Sequence, residues 1–68
     1  MDIENIFTYH APTQSQLVGY QNIREAAKIL ANAIINNTPA GADQTSAIRK
    51  VREAVFTANA GIALEGKL

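Results

Sequence analysis

Residues 13–37 read TQSQLVGYQNIREAAKILANAIINN. Thr13 and Gln16 stand three apart at the start of this stretch, the spacing of a capping box. In that motif a hydroxyl and an amide satisfy backbone N–H groups left orphaned at a helix N-terminus. Pro12 sits just before it, where a missing N–H costs little. Apolar side chains then recur at Tyr20, Ile23, Ala27, Leu30 and Ile34, a 3-4-3-4 spacing that marks one face of an α-helix. Asn36-Asn37 ahead of Pro39 ends the run, because the residue before a proline is pushed out of the helical region. A helix over 13–37 would be roughly 35 Å long at 1.5 Å per residue.

Downstream, Thr38-Pro39-Ala40-Gly41-Ala42 reads as a turn, and residues 43–64 repeat the helical pattern. Ile48, Val51, Val55, Ala58 and Ile62 form the matching seam. Gly41 or Asp43 can cap this helix, and Asp43 suits its positive N-terminal dipole. Gly66 supplies the stop. So short a turn makes the two helices antiparallel neighbours. Upstream, residues 1–12 form a short helical arm ending at Pro12. The expected fold class is all-α: an antiparallel two-helix hairpin with a short N-terminal arm, one domain over residues 1–68.

The hairpin has more apolar surface than two helices can cover. Val18, Ala26, Ile29 and Ala33 lie roughly opposite the seam of the first helix, and only Gln21, Glu25, Lys28 and Asn32 form a polar strip. Phe56 and Leu64 lie off the seam of the second. A helix apolar on two sides is buried on two sides, so the expected state is a homo-oligomer. The competing reading folds Ile3, Ile6, Phe7 and Tyr9 of the arm back over the hairpin. That arm is too short to cover both extra faces.

Composition narrows the chemistry. With 68 residues, one core is the limit, and a catalytic cleft in a lone chain of this size is rare. There is no cysteine, which excludes a disulfide staple, a zinc ribbon and a thiol nucleophile. The single histidine, His10, cannot build a His-based metal site and has no nearby relay partner. The isolated glycines make no phosphate loop. No metal, cofactor or catalytic role is expected. Net charge is zero, which argues against a groove for polymeric DNA or RNA. No apolar run is long enough to cross a bilayer. The acidic start Met1-Asp2-Ile3-Glu4 is unlike a secretory or transit signal, so the expected compartment is cytosolic.

Charge is nevertheless unevenly placed. Arg24, Lys28, Arg49, Lys50 and Arg52 outnumber Glu25, Asp43 and Glu53 between residues 13 and 60. Tyr20, Arg24 and Lys28 fall at successive helical turns beside the seam. Across a hairpin turning near residue 40, position 24 meets about position 56, so Arg24, Phe56 and Asn59 can share one edge, with Arg52 flanking the same seam. Arginine offers a planar fork to phosphate, and asparagine can read a base or ribose edge. The plainer reading is a solvated flank with ordinary ion pairs such as Lys50–Asp43. Tyr9-His10, just before the long helix, suits a stacked nucleobase next to a phosphate. Its plainer reading makes Tyr9 a hydrophobic staple and leaves His10 in solvent.

Phe7-x-Tyr9-His10-x-Pro12, Tyr20-x-x-Ile23-Arg24, Ala47-Ile48 and Ala54-Val55-x-x-Ala58-Asn59-Ala60-x-Ile62-Ala63 together resemble the α-hairpin domain of the phage anti-CBASS cyclic-nucleotide sponges, a domain shared with the Thoeris anti-defence sponges. The resemblance covers nearly the whole chain. It implies a homohexamer that sequesters cyclic dinucleotides such as cGAMP, and in several members cyclic trinucleotides, without cleaving them. It also implies a place in the cytoplasm of an infected bacterial host, where such a sponge silences anti-phage immunity. By the same resemblance Tyr9 stacks on a base, His10 lines the pocket, Arg24 meets a phosphate and Asn59 belongs to the Ala-Asn-Ala stretch. Lys28, one turn beyond Arg24, is added on spacing. The chain departs from the family pattern at Phe56-Thr57, where Met-Trp is common, and at Leu64, where a basic residue is often seen. Those departures weaken the implication of a trinucleotide site. The alternative is a structural α-hairpin, an assembly or adaptor module with no nucleotide ligand.

Overall fold

The computed structural model describes residues 1–67. Three helices follow in order: α1 (Ile3–Ile6), α2 (Gln14–Asn37) and α3 (Ala42–Ala63). The all-helical hairpin expected from the sequence is the architecture observed. Among the described residues, only α2 and α3 pack against each other.

The capping box opens α2 as the sequence predicts. Gln16 N donates to Thr13 Oγ1 at 3.2 Å, and Thr13 N donates to Gln16 Oε1 at 2.9 Å. At the other end Asn37 Nδ2 and Thr38 Oγ1 cover the final carbonyls, donating to Ala33 O and Ile34 O. α3 starts one residue earlier than the sequence reading placed it. Gly41 is the N-cap, and Asp43 sits inside the first turn, where its charge faces the helix dipole instead of capping it. Beyond α3, Gly66 adopts a left-handed φ of 75° and its N–H reaches Gly61 O at 2.9 Å, which stops the helix.

Both ends of the hairpin are tied by glutamine amides. At the open end Gln16 Nε2 donates to Ile62 O at 3.0 Å, so one side chain caps α2 and grips α3. At the turn, Gln44 Nε2 donates to Thr38 O at 3.1 Å and Thr38 Oγ1 at 3.2 Å. Between them run the seams. On α3 all five expected residues, Ile48, Val51, Val55, Ala58 and Ile62, are half-buried. On α2 the half-buried line runs through Tyr20, Ile23, Ala27, Ala31 and Ile34. Leu30 is half exposed and lines the rim of a groove with Ala54 and Ala58 of α3, while the smaller Ala31 is half-buried in the line.

The arm does not fold back on the hairpin. α1 is held by its own bonds: Asp2 Oδ1 accepts from Asn5 N, and His10 Nε2 lies 2.7 Å from Asn5 O. Its apolar residues stay largely outside, with Phe7 82% and Tyr9 84% exposed. Tyr9 is therefore not a staple on α2.

Not one described residue is fully buried. The chain exposes 5356 Å², where a compact monomer of its mass would expose about 4,200 Å². Its radius of gyration is 14.7 Å, against about 11 Å for a compact domain of this length. The hairpin makes a two-sided sheet of side chains only one layer thick, with no third layer to close a core.

Candidate functional site: a cationic edge on the hairpin

The seam divides the hairpin into two unlike edges. On one, α2 contributes Arg24 and Lys28 and α3 contributes Arg52 and Phe56, all exposed, around half-buried Ala27, Ala31, Ile48, Val51 and Val55. They line an open groove of about 250 Å³ with an apolar floor, and no carboxylate lines it. On the other edge Ile23, Ala26, Leu30, Ala54 and Ala58 line a groove of about 290 Å³ with no charged residue at all. Ala27, Val51 and Val55 line both grooves. This split follows from helical spacing: a step of one residue along α2, from Ile23 to Arg24, crosses about 100° of helix surface.

The cations of the first edge are mostly unengaged. Lys28 Nζ lies 3.5 Å from Glu25 Oε1 in a surface pair with both partners more than half exposed. Such pairs hold little energy. Arg24 and Arg52 make no salt bridge among the described residues. Arg52 instead lies over the Phe56 ring, 5.4 Å from its centroid. The Lys50–Asp43 pair of the plainer, solvated-flank reading does not form; Lys50 Nζ donates to Ser46 Oγ at 2.8 Å. The arginine-rich edge is thus not a flank neutralised by its own acids.

Arg24 and Lys28 share the groove, and Phe56 stands across from Arg24 as the antiparallel register requires. Tyr9 and His10 lie together on the arm, away from this lining. Tyr9 is open to solvent, whereas His10 is half-buried and bonded to Asn5 O, not free in solvent. The imidazole thus braces the arm that carries the tyrosine. Asn59 does not line the groove with Arg24 and Phe56. It is half-buried on α3, and its Oδ1 is sealed from solvent with no hydrogen-bond partner. An acceptor sealed without a donor costs about 1–3 kcal/mol, so Asn59 is an incomplete contact in the single protomer. Sequence reasoning did not foresee the inter-helix role of Gln16, because the same residue satisfies the capping box locally and that local role explains it fully.

Among the described residues no cluster of His, Cys, Asp or Glu could hold a metal ion. No helix among them is long and apolar enough to cross a membrane. The arrangement offers charge, an aromatic ring and an apolar floor, which are means of binding.

A helical hairpin with a cationic edge, an apolar edge and no closed core defines a small binding domain. The chain belongs to the family described as Acb2/Tad1, hairpin domain, whose sequence profile matches residues 1–63. This is the anti-CBASS and anti-Thoeris sponge family, a binding family and not a catalytic one. No curated protein and no solved structure matches the chain.

Proposed function

We propose that the protein is a sponge for cyclic oligonucleotide second messengers. It binds cyclic dinucleotides such as cGAMP, and holds them intact so that a bacterial immune effector of the CBASS type is never switched on. It acts in the cytoplasm of a phage-infected host. The observation that carries this reading is the family match over residues 1–63.

The geometry supports it. One groove of about 250 Å³ falls below the roughly 300–1,000 Å³ typical of small-molecule pockets. A cyclic dinucleotide has two phosphates and two bases in near-twofold symmetry, and two protomers related by a twofold axis offer each half the same residues. On this reading Arg24 and Lys28 meet phosphate in the groove of one protomer, and Tyr9, stacking on a base, and His10, lining the pocket, come to the ligand from the arm of a second copy. Cyclic trinucleotides are a second ligand class of the same reading.

Self-assembly completes the site. The excess exposed surface is about 1,200 Å² over a compact monomer, more than the roughly 800 Å² that each partner gives to a standard interface. Each protomer therefore has surface for one standard interface with some to spare, and the homohexamer of this reading comes from the family. The alternative, an assembly module with no nucleotide ligand, is favoured by that same apolar surface and not by the cationic edge.

The test is titration calorimetry against a panel of cyclic di- and trinucleotides, followed by denaturation of the protein and chromatography of the released ligand. Tight binding with recovery of unaltered ligand upholds the sponge. Absence of heat across the panel leaves the assembly module, and a cleaved product makes the protein an enzyme.

A further inference from the structure

We propose that Arg52, laid against the Phe56 ring, is a second phosphate-binding cation of the groove, facing Arg24 from the opposite helix and contacting the same nucleotide unit. This assignment rests on the sponge reading and extends its site beyond Tyr9, His10, Arg24, Lys28 and Asn59.

Four observations carry it. Arg52 and Phe56 line the same groove as Arg24 and Lys28, one pair from each helix of the hairpin. The groove has three cations and no carboxylate in its lining, so its complement is an anion. Arg52 has no acidic partner among the described residues. The guanidinium lies 5.4 Å from the Phe56 centroid.

The last point explains why an exposed arginine suits this task. A free arginine side chain loses considerable rotamer entropy when it binds, and stacking on a ring removes part of that loss in advance. The ring faces one side of the planar fork and leaves its N–H edge for two phosphate oxygens. The apolar floor formed by Val51 and Val55 then receives the uncharged part of the nucleotide. The occupant to which charge and shape commit is a nucleotide phosphate with its sugar and base.

The experiment compares wild type, Arg52→Gln, Arg52→Lys and Phe56→Leu by calorimetry with 3′,3′-cGAMP and its 2′,3′ isomer at two salt concentrations. Thermal melting and sedimentation are followed without ligand. Arg52→Gln should weaken binding about ten- to hundred-fold, the range of one charged hydrogen-bonding contact, and flatten the salt dependence of Kd. Arg52→Lys should recover only part of the loss. Phe56→Leu should weaken binding several-fold by releasing the guanidinium, with ligand-free melting and mass unchanged. Wild-type binding with an unaffected Arg52→Gln overturns this assignment alone. A wild type that binds neither isomer overturns the sponge reading for these ligands and the assignment with it. Should Arg52→Gln lower the ligand-free mass, the groove seats an acidic segment of a second copy, such as Asp2–Glu4 of the arm, and the assignment fails.

Discussion

The Gln16 side-chain amide joins the first turn of α2 to the last turn of α3 through Ile62 O at 3.0 Å, while its Oε1 accepts from Thr13 N. One residue thus sets both where α2 begins and how far α3 is slid along it. Gln16→Ala removes both bonds and should cost about 1–2 kcal/mol. Gln16→Glu keeps the acceptor for Thr13 N and loses the donor to Ile62 O, so it should fall between. Urea unfolding at one fixed protomer concentration measures both; a Gln16→Glu variant as stable as wild type would show that the bond to Ile62 contributes nothing, and equal losses in the two variants would show the same of the bond from Thr13 N.

Gly19 lies on the inner side of α2, where an added Cβ would meet Ile62 Cδ1 at 3.5 Å, an ordinary contact distance. Alanine also forms helix better than glycine by about 1 kcal/mol. Gly19→Ala should therefore stabilise the hairpin by about 0.5–1 kcal/mol, seen as a rise of several degrees in Tm. A fall in Tm would show that the helices cannot accept the methyl group.

Ile29 is 72% exposed on the face of α2 turned away from the seam. A glutamate there would set a charge in the apolar surface that other copies are proposed to cover. Ile29→Glu should reduce the assembled mass by light scattering and leave the helical circular dichroism of the hairpin largely in place. An unchanged mass would remove Ile29 from the interface.

Arg24→Ala should abolish or greatly weaken cyclic dinucleotide binding and leave helicity intact, because Arg24 is exposed and makes no salt bridge among the described residues. Tyr9→Ala should weaken binding by the ~1–3 kcal/mol of one stacked base, and Tyr9→Phe should preserve most of it. Equal loss in both tyrosine variants would assign the contact to the hydroxyl.

His10→Ala removes the bond to Asn5 O and should loosen α1. Limited proteolysis within residues 1–12 should accelerate while the melting of the hairpin stays nearly constant, since α1 packs on neither long helix. Protection equal to that of wild type would mean that the Asp2 cap alone holds the arm.

The sequence alone determined that there are two long helices, where the first begins, what turns the chain and which residues of α3 face inward. Those are local matters: the capping box, Pro39, Gly66 and a 3-4 spacing act over a few residues each. It also determined that the apolar surface outruns one hairpin, because Val18 and Ile29 cannot face the same neighbour as Ile23. Tertiary structure alone decided that Ala31 is half-buried between the helices while Leu30 lies at the rim of the apolar groove, since the choice depends on the rotation of one helix against the other. It decided that the arm stands away, that Arg52 stacks on Phe56 and that Asn59 Oδ1 lacks a donor. Such facts depend on which turn of one helix lies beside which turn of the other. That register is set by bonds such as Gln16 to Ile62, which join residues 46 positions apart in the chain.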